Sequence, residues 1–179
     1  MKKKYMEEKL EEFGITPETP IVGTVFRFVQ EKQPELWIDT MEKVIAEKDD
    51  VHAIMVGYGT LFQVMKELVK EKGLSNRIHF VGQTRAIKAW LDCFDIFLLT
   101  SIIEGLPNVL IEAQAFGVPV VSTDAGGSED TFIDGKTGKL NRTQNANDIA
   151  KLVLESLNDT DWLKEAKKHS STFALKAFG

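Results

Sequence analysis

Glu104 and Glu112 are separated by seven residues, and the first is followed directly by Gly105-Leu106-Pro107-Asn108. An apolar run, Asp95 to Leu99, precedes them and reads as a buried strand; a second, Val118 to Ser122, follows and reads as another. The unit is a strand, a loop carrying an acid, a helix carrying an acid, and a strand. Proline is favoured at the first helical position, where its missing N–H would be unsatisfied anyway. The helix is therefore predicted to start near Pro107 and to stop at Gly117. Leu106 cannot cap it, so the backbone amides from Leu106 to Val109 are left for another partner. Open amides at a helix N-terminus beside a glycine suit an anion. An acid beside a phosphate repels it, whereas a carboxylate accepts hydroxyls readily. Glu104, on the loop, and Glu112, over one turn into the helix, therefore point to a ligand with both phosphate and sugar hydroxyls.

Phosphate needs positive charge, and the protein is acidic overall, with a formal net charge of −5. Arg27 and Lys32 form a close basic pair at the carboxyl end of a predicted strand, Ile21 to Val25. Arginine forks onto phosphate oxygens and lysine acts as a point charge. In an open parallel sheet, ligands bind outside the carboxyl ends of the strands, where both of these loops lie.

The rest of the chain must position these groups. Its 179 residues suit one domain, and 43% hydrophobic with 27% charged residues suits a soluble globular domain with a core. No long basic patch is present, so nucleic acid is not an expected partner. The single cysteine, Cys93, excludes a disulfide within the chain and reads as a small packed residue. No apolar stretch approaches membrane-spanning length and no signal peptide is evident, so a cytoplasmic setting is expected.

Residues 1–20 read as a lead-in: an amphipathic helix from Lys2 to Phe13 stopped by Gly14, then a break at Pro17 and Pro20. From 21 onward strand and helix alternate. A helix from Pro34 to about Glu47 follows the first strand. His52 to Gly57 is the second strand, then Gly57-Tyr58-Gly59 and a helix to about Lys72. The third glycine of a dinucleotide fingerprint would fall at Phe62, so that motif fails; a tight turn and a ligand contact both remain open for Gly57. Arg77 to Val81 is the third strand, ending in Gly82-Gln83, with His79 read as a strand residue. A helix from about Thr84 to Cys93 leads to the central unit.

Beyond it, Gly126-Gly127 allow close backbone approach, with Glu129 just after. Asp134-Gly135-Lys136-Thr137-Gly138 lacks the first glycine of a phosphate loop, because Asp130 stands there. It reads as a hairpin-like turn into a last strand, Gly138 to Leu140. Helices are predicted from Asn147 to Leu157 and from Asp161 to about Phe178, with Asp159-Thr160-Asp161 read as a cap rather than a metal motif. The fold class is α/β: a Rossmann-like three-layer domain over 21–179 with a mostly parallel sheet covered on both faces.

Glu104-Gly105-Leu106-Pro107-Asn108 through Glu112, with Gly117-Val118-Pro119-Val120-Val121-Ser122-Thr123 and Gly126-Gly127 after it, resembles the E-x7-E signature of retaining glycosyltransferases of the GT-B fold, family 4 type. The resemblance covers the nucleotide-sugar-binding C-terminal half. It implies that Arg27 and Lys32 grip the donor diphosphate and help it leave, although Phe26 stands where the family often has glycine. It further implies that Glu104 meets the transferred sugar and Glu112 the ribose, with Gly105 to Val109 on phosphate and sugar oxygens. Backbone groups at Gly82 and Gln83 would meet the base, and Gly57 and Glu129 would lie nearby. No cofactor and no metal are expected. The implied partners are a nucleotide-diphosphate sugar and an acceptor-binding N-terminal domain outside this chain, with membrane association an option for the full-length enzyme. Binding without efficient transfer is expected of such a fragment. Two other readings are a dinucleotide-binding dehydrogenase domain and a non-catalytic regulatory or assembly module on the same fold.

Overall fold

In the computed structural model, residues 2–104 and 108–178 are described. Six strands form one sheet in which every pairing is parallel: β1 (Ile21–Val25), β2 (His52–Val56), β3 (Ile78–Gly82), β4 (Ile96–Leu99), β5 (Val120–Thr123) and β6 (Gly138–Asn141). Their spatial order is β3-β2-β1-β4-β5-β6. The chain winds outward from β1 in one direction and from β4 in the other. The gap between β1 and β4 is thus the topological switch point.

Helices α1 (Lys2–Glu12), α2 (Pro34–Glu47), α3 (Phe62–Glu71), α4 (Ile87–Cys93), α5 (Asn108–Ala115), α6 (Ala146–Asn158) and α7 (Thr160–Phe178) cover both faces. Side chains alternate across a strand, so each strand feeds both cores. Ile96 and Leu98 of β4 pack with α2, α3 and α6, through Trp37, Met41, Met65 and Val153. Phe97 and Leu99 pack with Met6, Trp90, Leu91 and Leu110 of α1, α4 and α5. Buried on both faces, the strands read as continuous apolar runs.

Local chemistry sets the boundaries. Gly117, with φ +76°, ends α5: its N–H reaches Gln114 O at 2.8 Å, and Val118 N–H reaches Ala113 O at 3.0 Å. Asp159 caps α7, accepting from Trp162 N–H at 3.0 Å, as its sequence setting suggested. Three expectations need correction. The fourth helix begins at Ile87 rather than Thr84, because Thr84 Oγ1 holds Ala86 N–H at 3.0 Å in a turn. The fifth strand starts at Val120, since Val118 is still engaged in ending α5 and Pro119 has no N–H to donate. The turn before the last strand does not make a hairpin: β6 runs parallel to β5, and the turn closes on itself through Gly135 N–H to Gly138 O at 2.8 Å. The expected helix start at Pro107 lies outside the described residues; the helix is seen from Asn108.

At the far edge of the sheet, His52 Nδ1 and His79 Nε2 are 2.8 Å apart on neighbouring strands, and Phe13 stacks on His79 at 4.4 Å. Burial, with His52 and then Arg77 adding like charge, pushes His79 down to about 4. Burial also lowers His52, with Arg77 reinforcing and Asp50 opposing. The unfolded chain therefore takes up a proton near pH 6.5 that the folded chain refuses until about pH 4. Stability is full above about pH 6.5 and falls as pH drops through that window, by about 2–3 kcal/mol for His79 at pH 4.5. Urea titrations at pH 7.5 and 4.5 measure the loss, and His79→Gln should abolish most of it.

Candidate functional site

Of the residues singled out from sequence, Arg27, Lys32, Gly57, Gln83, Glu104 and Glu129 lie on connections that leave the carboxyl edge of the sheet, Gly82 ends β3, and Asn108, Val109 and Glu112 lie on α5. After β1 the backbone leaves as an extension of the sheet: Phe26 N–H donates to Val56 O at 3.0 Å and Phe28 N–H to Tyr58 O at 3.2 Å. Phe26 and Phe28 are buried, so alternation turns Arg27 outward, where it is exposed. A 3-10 turn, Gln30–Lys32, then delivers Lys32 beside the switch point.

This extension explains the glycines after β2. At Gly57, φ is +129° and a Cβ would fall 1.9 Å from Phe26 O; at Gly59 it would fall 2.6 Å from Phe28 O. Close approach of the first loop is thus a sufficient reason for both glycines. Gly57 N–H also donates to Gly82 O at 2.9 Å, joining two of the candidate positions. Gln83 lies beyond them, exposed on the wall of a cleft of about 560 Å³ shared with Phe13, Val81 and Trp90.

After β4 the chain passes through Thr100 and Ser101, both buried, to Glu104. Glu104 Oε1 accepts from Lys32 Nζ and, at 2.8 Å, from Ser101 Oγ. The side chains are 23% and 14% exposed, so the pair is shielded from water without being sealed from it. Ile102 N–H to Glu31 O at 2.8 Å ties the same two loops by backbone. Charges 72 residues apart in sequence therefore face each other across the switch point.

The loop after β5 supports Glu104 from the other side. Glu104 N–H donates to Ala125 O at 2.8 Å, and its carbonyl accepts from Gly127 N–H at 3.3 Å. A Cβ on Gly126 would stand 3.0 Å from Glu104 O, so the glycine pair admits a neighbouring loop. Glu129 is exposed, 3.5 Å from Arg142, which also meets Asp124 at 3.1 Å. Glu112 is exposed on α5, with Asn108 and Val109 at its start. Gly105, Leu106 and Pro107 lie outside the described residues.

Sequence reasoning missed the polar residues that hold these loops: Ser101 and Thr100 on the fourth, Gln33 and Gln144 behind Lys32, and Arg142 beside Glu129. Lone serine, threonine and glutamine residues carry no spacing signal. A basic residue just past the last strand was the one visible cue. Among the described residues, no three His, Cys, Asp or Glu side chains cluster as a metal site would require. None of the helices among them is long and apolar enough to cross a membrane.

Comparison with known proteins gives this chain relatives. Over 117 residues the chain is 44% identical to the Vi polysaccharide biosynthesis protein VipC/TviE of Salmonella typhi, a match covering 65% of this chain and 20% of that protein. A TarM variant from S. aureus, solved with fondaparinux, alpha-GlcNAc-glycerol and UDP, superposes with a TM-score of 0.86 at 26% identity, over 90% of this chain and 33% of that one. HepE from Anabaena, solved with UDP and glucose, shares the fold with a TM-score of 0.87 at 23% identity, over 98% of this chain and 48% of that one. The chain therefore spans less than half the length of these relatives. The solved neighbours are GT-B glycosyltransferases, which bears out the Rossmann-like α/β fold expected above. The sequence model of glycosyl transferases group 1 matches residues 6–172, and the chain belongs to that family.

Proposed function

We propose that this chain binds a nucleoside diphosphate sugar, with UDP as the nucleotide, at the switch point between β1 and β4. It supplies the donor half of a retaining glycosyl transfer in polysaccharide or glycolipid synthesis. The observation that carries this reading is the Lys32–Glu104 pair, a cation and a carboxylate brought together from the two loops that flank the switch point.

The parts follow from charge. Lys32 and the exposed Arg27 neutralise the diphosphate and stabilise it as it departs, where fixed donors contribute most. The amides from Leu106 to Val109 hold phosphate and sugar oxygens. Glu104 accepts hydroxyls of the transferred sugar, and Glu112 those of the ribose. Gly82 and Gln83 offer backbone groups to the base. Gly57 and Glu129 border the site, and neither a metal nor a further cofactor is required. Lys32 and Glu104 satisfy one another in the structure. UDP turns Lys32 toward phosphate, and the sugar takes its place on Glu104. The UDP assignment is supported by the TarM variant, 26% identical to this chain and solved with UDP. Acceptor binding belongs to a separate N-terminal domain, so this chain alone transfers little.

A melting panel of UDP, GDP, ADP, their sugars and NAD tests the reading. UDP and a UDP-sugar should stabilise by about 2.7 kcal/mol at a hundredfold excess over Kd, NAD should not, and UDP-glucose should be consumed only slowly. A flat response to every nucleotide would leave a non-catalytic module on the same fold; a response to NAD alone would restore the dinucleotide reading.

A further inference from the structure

Two side-chain-bearing residues have left-handed backbone among the described residues: Gln33, with φ 49° and ψ 58°, and Gln144, with φ 57°. Such conformations are costly for a residue with a Cβ and are glycine's ordinary place. Both lie at the carboxyl edge, Gln33 directly after Lys32 and Gln144 on the turn after β6. Their side chains meet: Gln33 Nε2 donates to Gln144 Oε1 at 2.6 Å and to Thr100 O at 2.9 Å. Thr100 Oγ1 reaches back to the carbonyls of Lys32 and Gln33, at 2.9 and 3.1 Å.

Gln33 stands at the N-cap of α2, yet its side chain makes no capping bond. Helix capping therefore does not explain the glutamine. Gln144 is fixed independently, because Asn141 Oδ1 accepts from its N–H at 3.0 Å and from Thr143 N–H at 3.2 Å. The turn after β6 is thus a firm support against which the loop after β1 can be set. Strain held in place by surrounding bonds, beside a charged pair, is the pattern expected where geometry serves function.

We propose that Gln33 and Gln144 are positioning residues for the donor site: an amide brace joining the loops after β1, β4 and β6 that fixes the backbone of Lys32 so that its ammonium can exchange Glu104 for the diphosphate. The inference rests on the donor-binding reading above. Neither amide touches the diphosphate; each acts through Lys32.

The test uses the full chain with Gln33→Gly, Gln144→Gly and the double variant. Glycine accepts the left-handed conformation, so each variant keeps its backbone path and melts within a few degrees of the parent. NMR titration with UDP and with uridine then reads the brace. Gln33→Gly should weaken UDP roughly tenfold, Gln144→Gly less, and the double variant no more than Gln33→Gly, because the two residues share one bond. Uridine, which has no diphosphate to meet Lys32, should bind all four proteins alike. UDP affinity unchanged in Gln33→Gly, additive losses, or equal losses for uridine would each overturn the brace alone. A parent chain that does not bind UDP would overturn the donor reading and the brace with it.

Discussion

Replacing Trp37 by alanine should lower the folding free energy by about 3–5 kcal/mol, the range for deleting a large buried aromatic. Trp37 has no exposed surface and lies in the first turn of α2, among the fully buried side chains of its core. Its indole N–H donates to Leu98 O at 2.9 Å, so it ties α2 to β4 as well as filling space. The truncation leaves a cavity that neighbours on a rigid sheet cannot collapse into, and removes the bond. Trp37→Phe keeps most of the volume and should cost about 1–2 kcal/mol. A domain of this size has only about 5–15 kcal/mol in hand, so the alanine variant should be visibly less stable in a urea titration. A loss below about 1 kcal/mol would show that α2 is not held to the sheet at this point. The effect reaches the site, because α2 begins immediately after Lys32 and Gln33 while β4 leads to Glu104.

Much of this architecture is legible because local rules and tertiary packing agree. Pro20 and Pro34 bracket β1 and α2, and both elements fall where sequence placed them. The runs at β2 and β4 are apolar on both faces, which marks a sheet covered on both sides. Disagreement begins where a side chain competes with the backbone. Thr84 holds a turn, and α4 starts at Ile87, later than the start expected near Thr84. The site divides in the same way. Arg27, Lys32, Glu104 and Glu112 are candidates suggested by residue type and by their place on a loop or, for Glu112, early in a helix. What places Lys32 on Glu104 is not, since Gln33 bonds partners 67 and 111 residues away. The two acids spaced seven residues apart also differ: Glu104 is mostly shielded and paired, whereas Glu112 is exposed. Spacing alone treats them as equals.

The second large effect separates the two charges of the pair. Lys32→Ala should weaken UDP binding by about a hundredfold or more, because a charge-assisted bond to phosphate is lost and Glu104 is left facing the diphosphate. Glu104→Gln should do the opposite to UDP. The amide nearly matches the carboxylate in volume, removes its negative charge, and frees Lys32 from its charged partner. UDP should then bind at least as tightly as to the parent chain. UDP-glucose, however, should lose most of its advantage over UDP, because the amide is an uncharged, weaker acceptor and presents an NH2 donor where the carboxylate offered a second accepting oxygen to the sugar hydroxyls. Stability moves separately: either change strands one charge of a partly shielded pair, costing about 1–3 kcal/mol, with Ser101 Oγ still available to the group at position 104. Calorimetric titration of the three proteins with UDP and UDP-glucose reads all of this on the chain itself. If Glu104→Gln weakens UDP as severely as Lys32→Ala, the carboxylate does not compete with phosphate for Lys32. The division of labour between a phosphate-binding cation and a sugar-binding acid would then have to be abandoned.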